Sequence, residues 1–181
     1  MRGLLASCLI ALSLPLAGCG LKPLYANGSK GEVATMLADI DVAPIEGHAG
    51  WLVRNALRDR FVAAQGGRGE GNRFRLDVRL EDSITGFGVR TDDSVTRERR
   101  TLRARYQLVD GATGEVLLDA TAAQDAGIDV VGSEYATIAA ENSSLERLAS
   151  GVADQIVARL AVYASRGGPA SAPGVAPTAN P

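Results

Sequence analysis

The stretch Arg73-Phe74-Arg75-Leu76-Asp77-Val78-Arg79-Leu80-Glu81, continued through Asp82 and Ser83 to Ile84, decides the fold. Phe74, Leu76, Val78, Leu80 and Ile84 fall on one side of an extended chain; Arg73, Arg75, Asp77, Arg79 and Glu81 fall on the other. Side chains of a strand alternate between two faces, so this segment offers one face to a core and keeps one polar. Such a strand needs a second layer to bury it, and the flanking sequence supplies one.

On the C-terminal side, Gly86-Phe87-Gly88 reads as a turn. A long strand then spans about Asp93 to Asp110, with Leu102, Ala104, Tyr106 and Leu108 on one face and Thr101, Arg103, Arg105 and Gln107 on the other. Asp110-Gly111-Ala112-Thr113-Gly114 has hairpin-loop composition, and Glu115 to Ala123 is its partner strand. The last element is a long helix from about Ser133, its expected cap, to Ala164. Its apolar stripe is Ile138, Leu145, Leu148, Ala149, Val152, Ile156, Leu160 and Tyr163. On the N-terminal side, Met36 to Ala43 alternates as a strand stopped by Pro44. Trp51 to Gln65 carries Leu52, Val53, Ala56, Leu57 and Phe61 at helical spacing and is ended by Gly66-Gly67. The order β-α-β-β-β-α predicts an α+β two-layer sandwich, a four-stranded sheet with two helices on one face.

The chain ends are of a different character. Arg2 precedes an apolar run from Leu4 to Leu16, and Leu16-Ala17-Gly18-Cys19 follows. A basic start, a short apolar run and small residues before a cut describe a secretory signal over residues 1–18. The run is shorter than the ~20 apolar residues that a membrane span needs. Leu-Ala-Gly-Cys resembles the lipobox of bacterial lipoproteins, which implies lipidation on the Cys19 sulfur. One acyl chain holds only marginally, whereas a cysteine bearing two or three stays in place. Gly20 is not the Asp that resembles an inner-membrane retention signal, which points to the outer membrane, on its periplasmic side. Residues 19–35 read as a lipidated tether and 36–165 as the globular body; 166–181, mostly Gly, Pro, Ala and Ser, reads as a disordered tail.

Removal of the signal takes Cys8 and leaves Cys19 as the one cysteine, so no disulfide staples the body. The charge balance is slightly acidic, with 19 Lys and Arg against 21 Asp and Glu, which argues against nucleic acid as a partner.

The mature start, Cys19-Gly20-Leu21-Lys22-Pro23-Leu24-Tyr25, resembles the Cys-Gly-(Phe or Leu)-x-Pro-Leu-Tyr opening of the lipopolysaccharide-assembly lipoproteins, the LptE family. Tyr106-Gln107-Leu108-Val109-Asp110 with Thr113-Gly114-Glu115-Val116-Leu117, and Ser133-Glu134-Tyr135-Ala136, are similar to that family's patterns, the last to its alphaproteobacterial members. The resemblance covers the mature domain, and the element order agrees with it. It implies an outer-membrane protein that plugs the LptD β-barrel and aids insertion of lipopolysaccharide into the outer leaflet. An auxiliary lipoprotein of an envelope transporter and a purely structural envelope protein are the alternatives.

Catalytic chemistry finds little support. His48, the only histidine, falls in a loop before the first helix and lacks the orienting partner that general-base work needs. Asp39, Asp41 and Asp92-Asp93 are isolated carboxylates, short of a convergent metal set. Gly66-Gly67-x-Gly69 and Gly86-Phe87-Gly88 lack the Lys-Ser/Thr of a phosphate-gripping loop. Neither an enzyme nor a bound cofactor is expected.

The arginines stand out. Lysine occurs only at Lys22 and Lys30, both in the tether, so the body's permanent cations are all arginine. Arg73, Arg75 and Arg79 share one parity, as do Arg97, Arg99, Arg103 and Arg105 on the next strand. If the strands pair, a basic field results, broken by Asp77 and Glu81. The arginine fork suits phosphate, as on lipid A. The alternative is a solvated face whose cross-strand ion pairs contribute about 0.2–1 kcal/mol each.

Overall fold

The computed structural model describes residues 31–65, 73–89, 95–130 and 133–168. In chain order these form α1 (Glu32–Ala38), β1 (Ile40–Val42), α2 (Gly47–Gln65), β2 (Phe74–Val89), β3 (Val95–Asp110), β4 (Val116–Asp129) and α3 (Glu134–Ser165). The strands lie in the order β1-β2-β3-β4; β1 runs parallel to β2, and the other pairs are antiparallel. The helices pack on one another and on the sheet, making the α+β two-layer architecture.

One expected strand became two elements. Met36-Leu37-Ala38 close the helix α1, and only Ile40–Val42 are extended. The alternation of Met36 to Ala43 is too short to separate the periods, and burial won: Val33, Ala34, Met36, Leu37 and Ala38 are all buried. Helix α1 thus also takes in Glu32 to Thr35, at the end of the stretch read as tether. The second helix starts four residues early, at Gly47, so His48 lies in its first turn and not in a loop.

Strand β2 runs through Gly86-Phe87-Gly88 without turning. Phe87 opposes Arg97, Val89 opposes Val95, and the Arg99 guanidinium sits 5.6 Å from the Phe87 ring centre. Pairing with β3 outweighs the permissiveness of the two glycines. Asp92 and Asp93 lie outside the described residues.

The β3–β4 hairpin closes as composition predicts. The Asp110 carboxylate accepts from the Ala112 and Thr113 amides at 2.9 and 3.1 Å, and Gly114 takes a positive φ of 75°. Strand β4 continues to Asp129, six residues past the expected end. Ser133 caps α3, its hydroxyl accepting from Ala136 N at 3.5 Å.

The core lies between sheet and helices, with Phe74, Leu76, Leu102, Tyr106 and Leu108 meeting Leu57, Val152, Ile156 and Leu160. Arg60 ties α2 to α3 through the Asp154 carboxylate at 2.7 Å and the Ser150 hydroxyl at 2.9 Å. The core ends partway along the sheet. Glu134 to Ser143 of α3 contributes no buried residue, and Ile84 and Ile138, both assigned apolar faces, remain 43% and 48% exposed. Among the described residues no helix is long and apolar enough to cross a membrane.

Candidate functional site

The register puts the seven singled-out arginines on one surface. Odd-numbered residues of β2 oppose odd-numbered residues of β3, and these oppose odd-numbered residues of β4 over Arg97 to Gln107. The even-numbered set meets the helices, so Arg73, Arg75, Arg79, Arg97, Arg99, Arg103 and Arg105 belong to the outer face.

That face is interleaved with acid. Arg75 binds Asp77 at 2.9 Å, Arg97 binds Asp129 at 2.9 Å, Arg99 approaches Asp125 at 3.9 Å, and Arg105 binds Asp119 at 2.9 Å. Arg73 lies with its guanidinium 5.0 Å from the Phe74 ring centre. Hydrogen bonding to Asp77 holds Arg75 above its ordinary pKa, and Asp119 does the same for Arg105. In return Arg105, then Gln107, hold the Asp119 carboxyl below its usual range. Exposed pairs of this kind contribute little stability.

The middle of the face differs. Arg79 stands directly opposite Arg105, and Arg103 opposite Glu81. Neither Arg79 nor Arg103 forms an ion pair among the described residues. Three guanidinium groups thus gather here, of which Arg105 alone forms an ion pair among the described residues, with Asp119, while Glu81 stands across from Arg103 and Asp77 beside Arg79. A cleft of about 790 Å³ opens alongside, lined by Pro44, Ile45, Asp77, Arg79, Arg105 and Gln107 among others.

The cleft exists because β1 stops early. Pro44 has no N–H to extend the ladder, and Arg54 Nε donates to the Val42 carbonyl at 3.1 Å, taking the end of the strand. Gly50 lets the chain bend there, since a Cβ on it would lie 2.6 Å from the Ile45 carbonyl oxygen. Sequence reading registered Pro44 as a stop but not the cleft it leaves.

Sequence reading also passed over Arg100. Its even number places it on the inner side, where it binds Asp82 at 2.6 Å and donates to the Glu141 carbonyl at 3.0 Å beneath α3. The parity that grouped the other arginines already separated this one. His48 stacks on Trp51, with ring centres 6.4 Å apart, on the exposed side of α2. Among the described residues no three His, Cys, Asp or Glu side chains gather as a metal site. Cys19 lies outside the described residues.

The same sheet and helices occur in solved lipoprotein structures. A lipoprotein from Caulobacter crescentus CB15 superposes with a TM-score of 0.60 at 25% identity, covering 77% of this chain and 100% of that one. A minor lipoprotein from Acinetobacter baumannii gives 0.55 at 12% identity, covering 70% and 94%. Lipoprotein B from Nitrosomonas europaea gives 0.53 at 14% identity, covering 71% and 83%. The latter two likenesses show the fold alone. No curated protein sequence matches the chain.

The fold therefore places the chain in the class of α+β sandwich domains found in solved lipoproteins. The lipopolysaccharide-assembly family LptE matches residues 37–160, and the chain belongs to that family.

Proposed function

We propose that this protein is exported, cut before Cys19 and held by lipid at the periplasmic side of the outer membrane. There it assembles as the plug of an LptD-like β-barrel and aids insertion of lipopolysaccharide into the outer leaflet. The carrying observation is membership of the lipopolysaccharide-assembly family over most of the body, residues 37–160. The signal and Cys19 supply the anchor. The cluster of Arg79, Arg103 and Arg105 supplies forked donors for phosphate, with two of the three in no ion pair among the described residues. Arg75, Arg97 and Arg99, which face Asp77, Asp129 and Asp125, bear less on binding than these.

Co-purification from outer membranes tests the assembly. A large β-barrel recovered in equal proportion supports it; a permease or substrate-binding subunit recovered instead overturns it. Changing Arg75, Arg79, Arg103 and Arg105 together to Ser tests the face. Weakened lipopolysaccharide binding or barrel association with an unchanged fold is the expected result. Lysine at the same positions should restore part of it, since an ammonium keeps the charge and loses the fork. Normal binding of both partners by the Ser variant at low salt would mean an ordinary solvated surface.

A further inference from the structure

Strand β2 is 16 residues long and its outer neighbour β1 is three. The pairing between them fixes which main-chain groups face outward. Phe74 N–H donates to the Asp39 carbonyl at 3.0 Å, and the Leu76 carbonyl accepts from Ala43 N–H at 3.1 Å. The main-chain groups of the even-numbered β2 residues therefore point away from β3. On the other side, the Arg73 carbonyl accepts from Gly111 N–H at 2.8 Å, so the odd-numbered groups point toward β3. Past Ala43, no described strand lies along β2. Val78, Leu80, Asp82, Ile84 and Gly86 thus present their N–H and C=O groups along an edge with no neighbour among the described residues.

This edge is only lightly protected: Asp82 is its one inward-pointing charge, and Arg100 takes that charge up. Native sheets blunt such edges with lysine, proline, bulges or a covering element. From Val78 to Gly86, β2 has no lysine and no proline, and its register against β3 is unbroken. The opposite edge of the sheet is treated differently: Gln155 of α3 donates to the Ala123 carbonyl of β4 at 3.2 Å.

We propose that the edge from Val78 to Gly86 is a strand-addition site, at which an extended segment of a partner polypeptide continues the line that β1 begins. The side chains state the chemistry of that segment. On the inner side it meets Leu80 and Ile84, with Ile84 left 43% exposed, so it carries apolar residues there. On the outer side it meets Arg79, which forms no ion pair among the described residues, so it carries an acidic residue at that level. The cleft of about 790 Å³ is where the segment enters, beside Pro44 and Ile45. Main-chain bonds give such pairing its strength, and alternate side chains its selectivity. A second copy of this chain fits less well. Two-fold pairing centred on Asp82 sets Arg79 against Thr85, which supplies no acid.

The inference rests on the proposed barrel partnership, and its test separates the two. The probe is the outer-membrane β-barrel of the same organism, purified in detergent. Residue-resolved amide exchange is measured on the full mature chain alone and in complex. The expected result is that the amides of Leu80, Asp82, Ile84 and Gly86 exchange quickly in the free chain and become protected in the complex. Arg79, Glu81 and Ser83, already bonded to β3, should be slow in both. Ile84→Pro, which removes one outward N–H, should weaken the barrel about tenfold, while Ile84→Thr, which keeps it, should not. If the barrel binds with the even-numbered amides unchanged and Ile84→Pro binds as the wild type does, the edge proposal is wrong and the partnership stands. If the barrel does not bind the wild-type chain, both fall. Even-numbered amides already protected in the free chain would mean that the edge is covered by this chain's own residues or by a second copy, which also overturns the proposal.

Discussion

Arg79 of β2 stands directly across from Arg105 of β3, two like charges at one rung of the sheet. Arg105 is bound to Asp119, and Arg79 to no acid among the described residues. A folding requirement alone would not place them so, because like charges directly opposite are destabilising. Arg79→Gln should therefore raise the melting temperature of the isolated domain by the equivalent of about 0.2–1 kcal/mol and weaken lipopolysaccharide binding. Thermal melts paired with a binding assay read both effects. A lower melting temperature would mean that Arg79 serves the fold.

The inner pair behaves differently. Arg100 and Asp82 are only 12% and 26% exposed, and Arg100 also holds the Glu141 carbonyl. Arg100→Ala leaves a partly shielded carboxylate without its partner and should cost about 1.5 kcal/mol. Arg97→Ala breaks a pair that is mostly exposed on both sides and should stay within about 0.5 kcal/mol. Urea unfolding of the two variants compares them directly; equal losses would contradict this ranking.

Gly50→Ala should destabilise by about 1–3 kcal/mol, because the new methyl meets backbone that cannot swing aside. Its Cβ would lie 2.6 Å from the Ile45 oxygen and 2.9 Å from Ile45 Cγ2. The same change pushes the Ala43 to Glu46 segment outward and should widen the cleft. A variant as stable as the wild type would show that this segment yields freely.

Acid should unfold the domain in a defined window. Asp110 is held below the usual carboxylate range by the Thr113 and Ala112 amides, Asp119 by Arg105 and Gln107, and Asp154 by Arg60. A folded-state pKa below the unfolded value means that these groups stabilise fully above the ordinary value of about 3.9 and lose that contribution as pH falls through the folded values. The urea midpoint should stay level from neutrality to about pH 5 and drop below about pH 4. Arg105→Ser should flatten part of that drop. A midpoint already falling between pH 7 and 6 would point to other groups.

Cys19→Ala should yield an uncleaved or soluble periplasmic form without lipid. Mass spectrometry of the mature amino terminus decides it, and an unmodified terminus at any other residue would sink the anchor assignment.

The architecture was legible where periodicity is long and one-sided. Arg73 to Ile84, Leu102 to Leu108 and the stripe from Leu145 to Leu160 all bury the side that their spacing marks, apart from Ile84 at the edge of helix cover. Legibility failed where a segment was short or a glycine ambiguous. Met36 to Ala38 satisfy a strand pattern and a helix equally, and only packing against the other helices settles the matter. Gly86 and Gly88 signal a turn locally, yet the cross-strand partner at Arg97 is remote in sequence. The arginine face could be read from parity, because the side-chain period of a strand is fixed at two. Its division into paired and unpaired arginines could not, since Asp119, Asp125 and Asp129 reach it only through the β3–β4 register.

Helix α3 gives the molecule two mechanical regimes. Ten of its residues are buried, all of them from Ser144 onward. The half of the domain around Leu57, Leu108 and Ile156 is densely packed and should open last, while the half beyond Leu102 buries little besides Ile128 and is tied by strand pairing and by Arg100. A body built this way can be gripped at its dense end and still flex at the other, as a cantilever does. Its far tip can conform to a neighbour's contour at little cost to the stability of the whole.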